Sequence, residues 1–226
     1  MKVYVTSPRG KEKLVQAFEK EGCEVVNKLS TDVKLIVPTV DEELPFFSRS
    51  REYFKSQGIE VMVSSDYTID MCRDKAEFSR FCKRHGFAHP STGQFEAIIK
   101  PRFGKGSKGI IKIDRSYIVQ DIVPFPEYSV DSYCGAIRKF IPRKRLNIIN
   151  GESTAAEINL QETIGIAETA DRLAAQLGIY GPACIQGWWT GKTFIVGEVN
   201  CRFGGGFWLT QDIAPTVKWM VDEVRD

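Results

Sequence analysis

Two apolar runs, residues 183–189 and 193–199, meet at Thr190-Gly191-Lys192. Strand-like runs joined by a short glycine turn read as an antiparallel hairpin. The second run ends in Gly197-Glu198-Val199-Asn200-Cys201-Arg202 and then three glycines. Side chains two apart on a strand share a face, so Glu198 and Asn200 point the same way, and Arg202 extends the row if the strand continues. A carboxylate, an amide and a guanidinium on one face are costly to bury without a ligand. Hard oxygen donors of this kind suit Mg²⁺ bound together with phosphates. Gln186, on the partner strand, can add another oxygen. A solvated sheet face is the competing reading, and the flanking apolar residues and glycines weigh against it.

A second glycine-rich segment lies at 98–110, IIKPRFGKGSKGI. A strand ends in Lys100, and glycines 104, 106 and 109 surround Ser107. Glycine lets backbone N–H groups approach anionic oxygen closely. No GK[ST] and no helix follow, so this is not a Walker loop. It reads as a β-hairpin flap over a triphosphate, or as a basic hairpin with no ligand. A third segment, YIVQDIVPFPEYSVD at 117–131, runs from an apolar strand through Gln120 and Asp121, past two prolines, to Glu127. Its backbone could face adenine and its carboxylate ribose, although an ordinary loop between strands fits as well.

Around these segments, residues 3–6, 25–26, 33–37 and 61–63 predict short strands. Helices are predicted at 11–21 and 51–57, and residues 45–50 show no clear period. This βαβ rhythm predicts a small parallel sheet over residues 1–65. Further on, 74–85 and 216–221 predict helices, with strands at 97–100, 110–113, 117–122 and 127–133. Residues 160–177 carry Ile164, Ala167, Ala170, Leu173, Ala174 and Leu177 on one stripe, an amphipathic helix. The expected class is α+β, with an antiparallel second half.

The formal net charge of +2, from 31 basic and 29 acidic residues, gives no global pull toward nucleic acid or membrane. A small-molecule partner follows. Six cysteines without a CxxC pair, and an N-terminus that runs straight into a strand pattern, predict reduced thiols in a cytoplasmic protein. His85 and His89 are expected as surface or cap residues, the cysteines as buried packing, and the four tryptophans as core or pocket walls.

Taken in this order, the segments resemble the ATP-grasp superfamily, in particular its carbamoyl-phosphate-synthase-like and stand-alone carboxylate–amine ligase branch. The E-x-N-x-R-x-G-G run at 198–205 is the specific part of the match, and the flap is less so. The resemblance implies an N-terminal α/β domain over 1–65 and an ATP-grasp domain over 66–226, with a flap subdomain at about 90–130. It implies that SSDYTIDMCRDKAEF supplies a phosphate-binding lysine, Lys75, and that Lys100 is the second. Gly104, Gly106, Ser107 and Gly109 would cover the phosphates. Gln120, Asp121 and Ile122 would lie near adenine, and Glu127 at ribose. Gln186, Glu198 and Asn200 would bind two Mg²⁺ ions, with Mn²⁺ as a substitute, and Arg202 would contact an acyl phosphate. Arg143, Arg145, Glu152 and Ser153 would line the phosphate and acceptor side, with Arg145 and Lys100 joining Arg202 in catalysis, and residues 39–43 would help form the acceptor pocket. The stretch between flap and Gln120 is short for the family, which makes the central subdomain minimal.

The implied activity is an ATP-dependent ligase joining a carboxylate to an amine, or to a thiol, through an acyl phosphate, with release of ADP and phosphate. A bicarbonate-using carbamoyl-phosphate-synthase-like subunit and a non-catalytic ATP-binding module are the rival readings. The small N-terminal sheet offers an edge for pairing in a homodimer.

Overall fold

The structure, a computed structural model, describes residues 1–7, 11–103, 109–149, 151–159, 163–209 and 213–225. The chain begins with β1 (Lys2–Val5), α1 (Glu12–Lys20), β2 (Glu24–Val26), β3 (Val33–Val37), α2 (Leu44–Arg49), α3 (Arg51–Ser56) and β4 (Glu60–Val61). The four strands form one parallel sheet in the order β2-β1-β3-β4. Both faces are covered, as a parallel sheet requires. Val3, Val5, Leu35 and Val37 pack with Leu14 and Phe18 of α1, whereas Val33, Ile36 and Val61 pack with Leu44, Phe47 and Phe54 of α2 and α3.

The aperiodic stretch at 45–50 is helical after all. Pro45 stands in the first turn of α2, where its missing N–H costs nothing, and Leu44 and Phe47, three apart, share the buried side.

Next come α4 (Asp66–Arg73) and α5 (Lys75–Arg84). The break between them is Asp74, whose backbone is extended and whose carboxylate accepts from the N–H groups of Ala76 and Glu77 at 2.9 and 3.0 Å. That cap makes Lys75 the first residue of its helix. Two small antiparallel pairs follow: β5 (Thr92–Gly93) and, beyond it, β6 (Ala97–Ile99) with β7 (Ile111–Ile113), then β8 (Val119–Gln120), which pairs with β5.

The second half holds β9 (Glu127–Cys134), β10 (Arg138–Ile149), β11 (Glu152–Glu157), α6 (Ile164–Leu177), β12 (Gly181–Trp189), β13 (Phe194–Asn200) and α7 (Ala214–Arg225). Its five strands form an antiparallel sheet in the order β11-β10-β9-β12-β13. One face carries Tyr128, Val130, Ile185 and Val199, buried against Ile166, Ala170, Leu173 and Leu177 of α6. Ile164, expected on that stripe, is 62% exposed; residues 160–162 of the expected helix lie outside the described residues. Strands β10 and β11 were not expected. Pro142 interrupts the run, and proline argues against an inner strand. Pairing with β11 begins only at Lys144, so at Pro142 the strand has β9 alone as partner. Among the described residues no helix is long and apolar enough to cross a membrane.

Candidate functional site

The other face of the antiparallel sheet is polar, and its register sets the site. Arg143 of β10 lies opposite Ser129 of β9, Ser129 opposite Gln186 of β12, and Gln186 opposite Glu198 of β13. One rung along, Asp131, Cys184 and Asn200 are matched in the same way. On the other side Glu127 faces Trp188 and pairs with Arg145. Alternation by two puts all of these side chains on one face. The register slips between Gln186 and Gly187, leaving Gly197 as the extra residue of a bulge. A Cβ on Gly197 would lie 2.9 Å from the Trp188 ring and 3.3 Å from the Gln186 carbonyl, so only glycine fits beside Glu198.

Among the described residues, two main cavities and a minor one of about 180 Å³ open onto this face. The larger of the two, of about 420 Å³, is bounded by Asp41, Ser129, Arg143, Asn200, Arg202 and Gly206. The smaller of the two, of about 340 Å³, is bounded by Lys75, His89, Gln120, Glu127 and Trp188. Arg145, Gly151, Gln186 and Glu198 belong to both and form the wall between them.

Ion pairs tie the wall to both halves of the chain. Lys75 Nζ lies 3.1 Å from Glu198 Oε2. Asn200 donates its amide N–H to Glu198 Oε1 at 3.3 Å. Arg202 Nε donates to Asp41 Oδ2 at 2.8 Å, and its Nη1 to the Phe203 carbonyl at 3.0 Å. Arg145 also reaches the Gly151 carbonyl. Deeper in, Arg143 Nε donates to Asp131 Oδ2 at 2.6 Å. The Cys184 thiol is pushed up to about 12 by burial and by the charge of Asp131, so it stays protonated and is no nucleophile.

The structure thus brings together Lys75, Gln120, Glu127, Arg145, Gln186, Glu198, Asn200 and Arg202. It does not bring in Asp121 or Ile122. The chain leaves β8 after Gln120, both residues are exposed, Ile122 at 94%, and neither lines the cavity. Lys100 follows β6 on the exposed hairpin and lines neither cavity; Gly109 closes the same loop with φ +74°. Gly104, Gly106 and Ser107 lie outside the described residues. His89, expected at the surface, is half-buried and lines the smaller cavity, with Nδ1 2.7 Å from the Val196 carbonyl and Nε2 3.4 Å from the amide nitrogen of Gln120. Asp41, Ser129 and Asp131 were missed as individual residues. The signal for the last two was available: Glu127, Ser129 and Asp131 alternate on β9 just as Glu198 and Asn200 do on β13.

The donor set can be tested against a metal. Among the described residues no cluster of three or more His, Cys, Asp or Glu could hold an ion by itself. Glu198, with the amide oxygens of Gln186 and Asn200, fits instead a hard cation that takes its remaining ligands from phosphates and water.

A family model described as an ATP-grasp domain matches residues 72–206, more than half of the chain. The chain belongs to the ATP-grasp family. Among solved structures, the fold is similar to that of an ATP-grasp superfamily protein from Archaeoglobus fulgidus, with TM-score 0.70 and 16% identity over 98% of this chain and 88% of that one. It is also similar to D-alanine–D-alanine ligase from Bacillus anthracis (TM-score 0.68, 13% identity, 99% of this chain and 97% of that one). L-amino acid ligase from Bacillus licheniformis follows, with TM-score 0.63 and 13% identity over 91% of this chain and 68% of that one. No curated protein sequence matches. At these identities the likeness is one of fold, and the ATP-grasp assignment rests on the family match together with the residues on the polar face.

Proposed function

We propose that this ATP-grasp chain is an ATP-dependent carboxylate–amine ligase, with residues 1–65 as its N-terminal domain and 66–226 as the catalytic one. The observation that carries this reading is the shared wall. Gln186, Glu198 and Arg145 stand between a cavity lined by Lys75, Gln120 and Glu127 and a larger one lined by Arg143 and Arg202. A phosphoryl group passed between a nucleotide and an acid has to cross such a boundary.

In this reading the smaller cavity takes the nucleotide. Glu127 accepts from the ribose hydroxyls and Lys75 neutralises phosphate oxygens; Lys100, on the exposed hairpin outside the cavity, would join it only with the hairpin folded over the nucleotide. Glu198, Asn200 and Gln186 hold Mg²⁺, which supplies charge neutralisation on the phosphates. The acid lies in the larger cavity. Its carboxylate oxygen attacks the γ-phosphorus, ADP leaves, and Arg202 and Arg145 stabilise the charge spreading over the transferred group. An amine then attacks the acyl carbon, phosphate leaves, and the nitrogen loses a proton. Asp41 holds the Arg202 guanidinium in place through its Nε. No covalent intermediate with the protein is needed, in keeping with the protonated Cys184.

A cavity of about 420 Å³ is far larger than bicarbonate requires, which favours an organic acid over the carbamoyl-phosphate-synthase-like alternative. The chain's six cysteines, all free and buried, are in keeping with a cytoplasmic location. The experiment is ADP release from Mg-ATP against a panel of amino acids and other carboxylic acids, with and without amines. Stimulation by an acid–amine pair supports the ligase and names its substrates. ATP binding with no stimulation by any pair would leave a nucleotide-binding module instead.

A further inference from the structure

Arg143 is 2% exposed and Ser129 1%, yet among the described residues Arg143 Nη1 and the Ser129 hydroxyl have no hydrogen-bond partner. Both residues line the larger cavity. They are direct partners across β10 and β9 and share its polar face, with Cβ atoms about 5 Å apart. Buried donors are nearly always paired, so two adjacent unpaired groups on residues that line one cavity mark a place where a ligand can complete the pairing. The rest of the guanidinium is already fixed: Nε donates to Asp131 Oδ2 at 2.6 Å and Nη2 lies 3.5 Å from Oδ1. Asp131 therefore orients the fork and leaves Nη1 free. A Cβ at residue 206 would come within 3.2 Å of Nη1, so Gly206 keeps the approach open.

We propose that Arg143 Nη1 and Ser129 Oγ anchor a second, non-reacting carboxylate of the acid substrate, so that this ligase takes dicarboxylic acids. The inference rests on the ligase reading and narrows its substrate class. A guanidinium edge beside a hydroxyl presents parallel donors, the arrangement that matches the two oxygens of a carboxylate. Among the described residues, four cationic and three anionic side chains line the cavity, so this lining carries no net negative charge to oppose a carboxylate. Ser129 and Glu198 lie on one rung with β12 between them. Their backbones are therefore about 10 Å apart, twice the strand spacing. With side chains reaching in from both ends, the space between anchor and reacting end suits a short carbon chain.

The test is calorimetric binding of glutarate to the full chain with Mg²⁺ and a non-hydrolysable ATP analogue, with butanoate as the one-carboxylate control. Wild type should bind glutarate roughly tenfold or more tighter than butanoate, the scale of a charge-assisted hydrogen bond. Ser129→Ala and Arg143→Gln should each cut that preference to less than about threefold while leaving affinity for the analogue unchanged. If Arg143→Gln fails to fold, Ser129→Ala still decides, because its hydroxyl holds nothing among the described residues. Equal binding of the two acids by wild type, including no binding of either, overturns the anchor, as does a glutarate preference that both variants retain. Failure of wild type to bind the analogue overturns the ligase reading instead.

Discussion

Lys75 Nζ and Glu198 Oε2 stand 3.1 Å apart, joining the first residue of α5 to the strand that carries the candidate metal donors. The lysine side chain is 63% exposed and the glutamate 34%. A pair this wet adds at most about 1 kcal/mol to stability. Its value is electrostatic: it sets a cation beside a carboxylate on the wall between two cavities.

Glu198→Gln should therefore nearly abolish turnover and barely touch the fold. The substitution keeps shape and removes the charge that draws a divalent cation. A loss of several kcal/mol of transition-state stabilisation, at least about a hundredfold in rate, is expected. Steady-state ADP release at graded Mg²⁺, with urea unfolding in parallel, checks both halves. Wild-type activity with unchanged Mg²⁺ dependence would sink the metal assignment.

Lys75→Ala should weaken ATP binding by roughly tenfold, the scale of one charged hydrogen bond. Lys100→Ala should act in the same direction through the flap. Calorimetry with an ATP analogue reads both. Unchanged affinity in Lys100→Ala alone would remove the hairpin from the nucleotide site and leave the wall intact.

What the sequence revealed divides along a physical line. Period-two alternation in an apolar strand is local, so Glu198, Asn200 and their hairpin partner Gln186 could be placed without knowing the fold. The stripe of α6 is local in the same sense. Arg202 was expected to extend the row, but β13 ends at Asn200 and Arg202 follows in a bend; its partner Asp41 comes from the N-terminal half, and no spacing rule links them. Strand β10 was illegible because Pro142 breaks its pattern and its pairing is supplied by β9. With β10 unseen, the buried ion pair of Arg143 with Asp131 was invisible too. Asp121 and Ile122 fell outside the site because they lie past the end of β8, where the chain already faces solvent.

That ion pair gives a stability prediction. Arg143 and Asp131 side chains are 2% and 7% exposed, and Nε to Oδ2 is 2.6 Å. Removing one partner leaves a buried charge, so Arg143→Met should cost about 3–5 kcal/mol. Replacing both, as in Arg143→Met with Asp131→Leu, should recover most of that loss. Urea midpoints of the two single variants and the double variant measure the coupling. Additive losses in the double variant would mean the two side chains are stabilised independently.

Cys72, Cys82, Cys134 and Cys184 should be inert in the folded protein. Burial pushes Cys82 and Cys184 up to about 12 and Cys134 to about 11. Cys72 is raised by its hydrogen bond with Cys201 and by burial. A thiolate-selective disulfide reagent at pH 8 should titrate these sites only as the chain unfolds, at the rate of unfolding. Fast labelling of Cys184 in folded protein would show that the larger cavity admits the reagent and that the thiol ionises there.

His89 predicts a pH dependence of stability. Its Nδ1 lies 2.7 Å from the Val196 carbonyl, and its Nε2 lies 3.4 Å from the Gln120 amide nitrogen. Both contacts are met by a neutral ring that donates from Nδ1 and accepts at Nε2; a proton on Nε2 would face the Gln120 N–H group. Burial lowers the pKa below the ordinary 6.5. Between the lowered value and 6.5 the unfolded chain holds more protons than the folded one, so stability rises with pH across that window. It is full above 6.5 and drains away as pH falls from 6.5 toward the folded value. The depressed carboxylates Asp32, Glu77 and Asp114 act lower, since their ordinary values are 3.8, 4.5 and 3.8. Unfolding midpoints at pH 5.5 and 7.5 should therefore differ in wild type and converge in His89→Gln, whose amide cannot titrate. Protonation of the folded ring breaks the contact with the Gln120 N–H group, so nucleotide affinity should fall as pH drops through the lowered folded value. A midpoint difference that survives in His89→Gln would assign the titration to another group.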